Sequence, residues 1–238
     1  MALPKINSSP KYEMTIPSTG ETVRFRPFLI KEEKSMLIAA ESGETNIILK
    51  SIVDTLEACI DKDIKMYELA TFDIEYMFLQ LRSKSVGETT SVGITCPSCK
   101  NSNELKVNIN EIELNLPEST NDTIKLTDDI SVELGYPTFG DISNSGIDTD
   151  NMSGVENLFN MIQYCFKTVI TEEEKFNLKD HSREEITAFV ESLDSKQFNN
   201  VRNWIEKIPK LQKDFEFNCT ECNHMIKDKL EGMTSFLY

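Results

Sequence analysis

No apolar run in this 238-residue chain approaches the ~20 residues needed to cross a bilayer. The opening Met1-Ala2-Leu3-Pro4-Lys5 lacks the apolar stretch of a secretory leader. A soluble protein made in a reducing cytoplasm, with no membrane partner, is therefore expected. Histidine is scarce, at two residues, and the two do not stand at metal-ligand spacing. Acid–base chemistry would then fall on carboxylates, which occur mainly in runs that read as solvated surface. A Gly-rich phosphate loop and a nucleophile elbow are both missing. No catalytic residue is assigned, and the chain is not expected to be an enzyme. Positive charge is short as well, with 25 Lys and Arg against 40 Asp and Glu for a net charge of −15. Nucleic-acid affinity is driven by clustered Lys and Arg, so a surface of this sign would repel a duplex. One local exception is the group Lys5, Lys11, Arg24, Arg26 and Lys31. The simpler reading is an acidic surface that meets a basic patch on a protein partner.

What the chain does have is cysteine in a pattern. Four of its six cysteines form two pairs, Cys96-Pro97-Ser98-Cys99 and Cys219-Thr220-Glu221-Cys222. A Cys-x-x-Cys turn sets two sulfurs side by side, and two such turns facing each other offer the four thiolates that tetrahedral zinc prefers. Each pair follows a strand-like run, residues 89–95 and 214–218, and precedes a return strand, residues 105–109 and 225–230. This is the layout of a zinc ribbon with a knuckle at the tip of each hairpin. Disulfides, redox dithiols and coincidence are the other readings of such pairs. Neither pair opens a helix as a thioredoxin-like site does, and nothing points to a secreted context. Cys96, Cys99, Cys219 and Cys222 are thus the candidate ligands of one structural zinc, although about 120 residues separate the pairs. His224 is either a substitute ligand or a plain surface histidine. Cys59 and Cys165 lie within apolar helical patterns and read as buried thiols.

Along the chain, Tyr12–Ile16 and Glu21–Arg26 alternate apolar and polar about Pro17-Ser18-Thr19-Gly20, a β-hairpin signature. Helices are expected from Ile30 to the break at Ser42-Gly43, from Thr45 to Ile60, and from a cap at Thr71 to Arg82. The third is so rich in Phe, Tyr, Met and Leu that two readings stand: a central core helix, or core on one side and a subunit contact on the other. Residues 88–135 read as β structure, with a loop over 115–122, and residues 143–154 as a linker. Beyond it, helices are expected from Val155 to about Thr168, from a capping box at Ser182-Arg183-Glu184-Glu185, and from Ser195 to Ile208. Glu172-Glu173-Glu174 reads as a solvated turn. The closing Gly232–Tyr238 is either a last core strand or a plug for a neighbouring subunit.

The expected fold is α+β: an N-terminal β-hairpin and helices, then a zinc-ribbon-like β module with a helical insertion between its two knuckles. The corresponding segments are 1–142, the linker 143–154, the helical insertion 155–210, and 211–238 returning to the first part.

Several blocks also resemble a known family. Met1-Ala2-Leu3-Pro4-Lys5-Ile6, Arg24-Phe25-Arg26-Pro27-Phe28-Leu29-Ile30-Lys31-Glu32-Glu33-Lys34 and the run Leu69–Glu88 are similar to the baseplate hub proteins of T-even-like contractile-tailed bacteriophages. The likeness covers the first hundred residues well and the second half mainly through its layout and second cysteine pair. It implies a late viral protein, either a hub component of the virion tail or an assembly factor acting in the host cytoplasm. Its partners would be other hub and tail proteins. The alternative from composition and motif alone is a zinc-ribbon nucleic-acid-binding or transcription-related protein.

Overall fold

The computed structural model describes residues 10–117, 122–143, 145, 155–232 and 234–237. The chain divides into two units, one made of Met1–Leu114 and Leu211–Tyr238, the other of Asn115–Lys210.

The first unit opens with strands β1 (Tyr12–Thr15) and β2 (Thr22–Phe25), paired antiparallel. Met14, Val23 and Phe25 turn inward while Thr15, Thr22 and Arg24 face out, the period-two pattern of a half-buried hairpin. Gly20, at φ +69°, closes the turn and donates its N–H to the Ile16 carbonyl. Three helices follow, α1 (Ile30–Ser42), α2 (Thr45–Cys59) and α3 (Thr71–Ser85). Gly43, at φ +68°, stops α1. Helix α2 buries Ile52, Val53, Leu56 and Cys59 and keeps its Lys50–Asp54 ion pair in solvent.

The cap of α3 is Ala70 rather than Thr71, which is already helical. Asp73, at the third helical position, supplies what the cap lacks. Its carboxylate accepts the Ala70 N–H at 3.2 Å and both the Ser18 N–H and hydroxyl, at 2.9 and 2.5 Å, tying the hairpin turn to the helix. Phe72, Ile74, Met77, Phe78, Leu79 and Leu81 are all buried within the chain, so α3 is a core helix and offers no broad aromatic face to a partner.

Strands β3 (Thr89–Thr95) and β4 (Ser102–Asn108) form the next hairpin, followed by the short β5 (Glu113–Leu114).

The second unit holds a four-stranded antiparallel sheet of β6 (Thr123–Lys125), β7 (Ile130–Leu134), β8 (Phe166–Thr171) and β9 (Lys175–Asn177), in that order. Its helices are α4 (Phe139–Ser143), α5 (Val155–Cys165), α6 (Arg183–Glu191) and α7 (Ser195–Ile205). Two expectations change here. The helix from Val155 stops at Cys165, because the β-branched run Thr168-Val169-Ile170-Thr171 pairs with β7 instead of continuing the helix. The insertion is therefore not helical alone, and β6 and β7 belong with it, so the units part at Leu114/Asn115 rather than at the linker. Most of that linker, residues 144 and 146–154, lies outside the described residues. Glu172–Glu174 is the exposed turn between β8 and β9, and Ser182 with Glu185 forms the capping box of α6. Val132, Ile162, Cys165, Val201 and Trp204 lie in this unit's core.

The chain returns to the first unit through β10 (Leu211–Asn218), which pairs with β5 on one side and β11 (Met225–Glu231) on the other. It closes in α8 (Thr234–Leu237), a single helical turn rather than a strand, whose Phe236 is fully buried. Phe236 joins Leu79, Val92, Val107, Ile109, Ile112, Leu211 and Leu230 in one core. Each such buried side chain contributes about 1.5–3 kcal/mol through apolar burial. This core fastens β3–β4 and β10–β11 to α3 and so fixes where the two hairpin tips stand. The fold is α+β, and among the described residues no helix is long and apolar enough to cross a membrane.

Candidate metal centre

The two hairpin tips are built alike. In the first, the Cys96 N–H donates to the Asn101 carbonyl at 2.8 Å and the Lys100 N–H to the Cys96 carbonyl at 3.0 Å. In the second, the Cys219 N–H donates to the His224 carbonyl at 2.9 Å and the Asn223 N–H to the Cys219 carbonyl at 3.0 Å. In both, the residue after the second cysteine takes a left-handed backbone, Lys100 at φ 63° and Asn223 at φ 57°. Asparagine adopts that conformation readily and lysine does so rarely, so the strain at Lys100 is held by the turn's own hydrogen bonds.

The tips bring all four predicted cysteines together, their sulfurs lying within 4.8 Å of one another. The shortest pairs cross between hairpins, Cys96–Cys222 at 3.7 Å and Cys99–Cys219 at 3.6 Å. A disulfide requires about 2.05 Å, and all the cysteines are free thiols here. Four sulfurs placed at about 2.3 Å from a tetrahedral zinc would be about 3.8 Å apart, so the spacing is compatible with a metal site. Cys96 and Cys219 are buried, with Ile226, Ile94, Phe215 and Phe217 packed around them, while Cys99 and Cys222 face solvent. His224 contributes its carbonyl to the turn, and its exposed side chain is not in the cluster.

The electrostatics follow from the crowding. Backbone N–H groups of Cys222 and Glu221 donate to the Cys219 sulfur and bring that thiol down to about 6. The Cys99 sulfur also receives a backbone N–H, from Asn101. Even so, desolvation and the neighbouring sulfurs of Cys222, Cys219 and Cys96 push its thiol up to about 12. Four thiols this close cannot all ionise unaided, and a divalent cation among them removes the conflict.

Sequence reasoning missed the residue that holds the tips in register. Asn103, buried on β4, accepts the Thr220 N–H at 2.9 Å and the Thr220 hydroxyl at 3.0 Å. Its amide donates to the carbonyls of Asn101 at 3.2 Å and Ile94 at 3.4 Å, and the Asn101 amide reaches the Thr220 hydroxyl at 3.2 Å. One side chain of the first hairpin thus orients the second knuckle. Its signal in the sequence was only an Asn at an inward-facing strand position. The remaining cysteines are inert: burial raises the Cys59 thiol to about 11 and the Cys165 thiol to about 12.

Three of the basic residues near the N-terminus are paired within the chain, and Lys5 lies outside the described residues. Lys11 pairs with Asp61, and Arg26 and Lys31 both reach Glu32. Searches among curated proteins and among solved structures return no match. A family model does match, that of the T4 bacteriophage base plate protein, and it runs from residue 9 to residue 238, through both units and both cysteine pairs. A match over nearly the whole length extends the likeness well past the first hundred residues, and the chain belongs to the T4 bacteriophage base plate protein family.

Proposed function

We propose that this chain is a non-enzymatic protein of baseplate hub assembly and that Cys96, Cys99, Cys219 and Cys222 hold one structural zinc. The observation that supports the reading is the convergence of two chain-distant Cys-x-x-Cys tips into one four-sulfur cluster, in a member of a baseplate family. Zinc bound by four thiolates has no open position for water or substrate, so it would stabilise the fold and carry no chemistry. Its role is to lock β3–β4 to β10–β11, closing the loop through which the second unit is inserted. The work is then done by surfaces that meet other hub and tail proteins in the host cytoplasm during assembly, and at the tail if the protein is a hub component.

The test pairs zinc analysis of the purified protein with quantitative mass spectrometry of purified tails. One zinc per chain, lost in Cys96→Ser and Cys222→Ser together with tail formation, is the expected result. Reproducible copies in each baseplate identify a hub component, and absence from tails identifies a factor that leaves once the hub is built. A stable double mutant that forms normal tails refutes the zinc scaffold, and complete hubs in a phage deleted for this gene refute the hub role.

A further inference from the structure

Helix α1 is turned the opposite way from an ordinary surface helix. Its inward stripe carries Glu32 and Ala39, the only two residues it buries fully. Its outward stripe carries Ile30 at 77% exposure, Leu37 at 59% and Ile38 at 57%, flanked by Leu29 and Ile47. Ile30, Lys34, Leu37, Ile38 and Glu41 recur at helical spacing and fall within an arc of about 100°, the width of a stripe that normally faces a core. Lys34 and Glu41 lie on that stripe, and neither takes part in an ion pair among the described residues.

We infer that this face docks on a second copy of itself, α1 against α1, antiparallel about a two-fold axis. The argument is self-complementarity, which an isologous interface demands. The outward stripe carries a base toward its start, Lys34, apolar side chains at its centre, and an acid toward its end, Glu41. In an antiparallel pair centred between Leu37 and Ile38, a single register sets Leu37 opposite the other copy's Ile38. The same register sets Lys34 opposite Glu41 at both ends of the pair. A parallel pair would set like charges together. A pair of 13-residue helices is a small interface, so the association is concentration-dependent rather than permanent.

Sedimentation velocity on the full chain, from about 10 μM to about 1 mM at low salt, tests the pairing. Far-UV circular dichroism and thermal melts confirm that each variant is folded. A monomer–dimer equilibrium is expected, with Leu37→Glu abolishing it. Lys34→Glu and Glu41→Lys should each weaken it by about tenfold or more, because symmetry makes two like-charge contacts from one change. The exposed charge changes leave the fold intact even if Leu37→Glu does not. Mixing the Lys34→Glu and Glu41→Lys variants restores opposite charges at both contacts, so the mixture should associate at least as tightly as the parent. A chain that stays monomeric throughout, or a mixture as weak as its components, overturns the inference. So does binding of this face to lipid vesicles without self-association.

Discussion

Replacing Asn103 by alanine is expected to weaken the metal centre without removing a single sulfur. The Asn103 side chain makes two well-formed hydrogen bonds to Thr220, at 2.9 and 3.0 Å, and two longer ones to the carbonyls of Asn101 and Ile94. A neutral intramolecular hydrogen bond nets about 1 kcal/mol, and the longer pair contributes less, so the loss sums to about 2–3 kcal/mol. If that energy serves to present the second knuckle, it reappears as about 30- to 100-fold weaker zinc binding, at 1.4 kcal/mol per decade. Outer-shell partners of metal ligands show effects of that size. Thr220→Val, which deletes the hydroxyl and keeps the N–H, should lose about half as much. The assay is competition for zinc against a chromophoric chelator, with circular dichroism confirming the fold. Zinc affinity within about twofold of the parent in Asn103→Ala would show that the four cysteines organise themselves, and would refute the reasoning.

Other consequences follow from the same contacts. Removing the metal with a chelator should destabilise the first unit by about 4 kcal/mol relative to zinc at a thousandfold over Kd, while fluorescence of Trp204, the chain's single tryptophan, reports an unchanged transition in the second. Equal shifts in both units would contradict this. Zinc affinity should also fall as pH falls, because protons compete for the thiolates. Asp73→Ala leaves the Ala70 and Ser18 N–H groups without their acceptor and should cost about 3–5 kcal/mol in urea denaturation, given about 1.5–3 kcal/mol for each bond to a charged group. A cost under about 1 kcal/mol would mean that the hairpin turn is held by other contacts. At Glu32, burial disfavours the carboxylate. Hydrogen bonds from Arg26, the Leu29 N–H and Lys31 outweigh that and hold its pKa below the usual 4.5. A depressed folded pKa gives stability that is present above 4.5 and is lost as pH falls through the folded value. Glu32→Gln should therefore flatten the acid limb of the stability–pH curve, and an unchanged limb would assign acid loss to other carboxylates.

Much was legible in the sequence because it depends on local rules. Alternation about Pro17–Gly20 gave the first hairpin, the breaker Gly43 gave the end of α1, and Ser182 with Glu185 gave the start of α6. The paired cysteines signalled their own convergence, since two Cys-x-x-Cys turns on strand hairpins together offer the four sulfurs of one tetrahedral site. Tertiary structure decided what local pattern leaves degenerate. Phe166–Thr171 follows directly on a helix and carries Phe166, Val169 and Ile170 at spacings that a helix or a strand could use, and pairing with β7 makes it a strand. The aromatic run of α3 is the same whether it faces a core or a partner, and long-range packing buried it. The outward-facing aliphatics of α1 follow helical periodicity as a core stripe would. Which stripe meets the protein was settled by Glu32, whose bonds to Arg26 and Leu29 turn that side inward and leave Ile30, Leu37 and Ile38 in solvent.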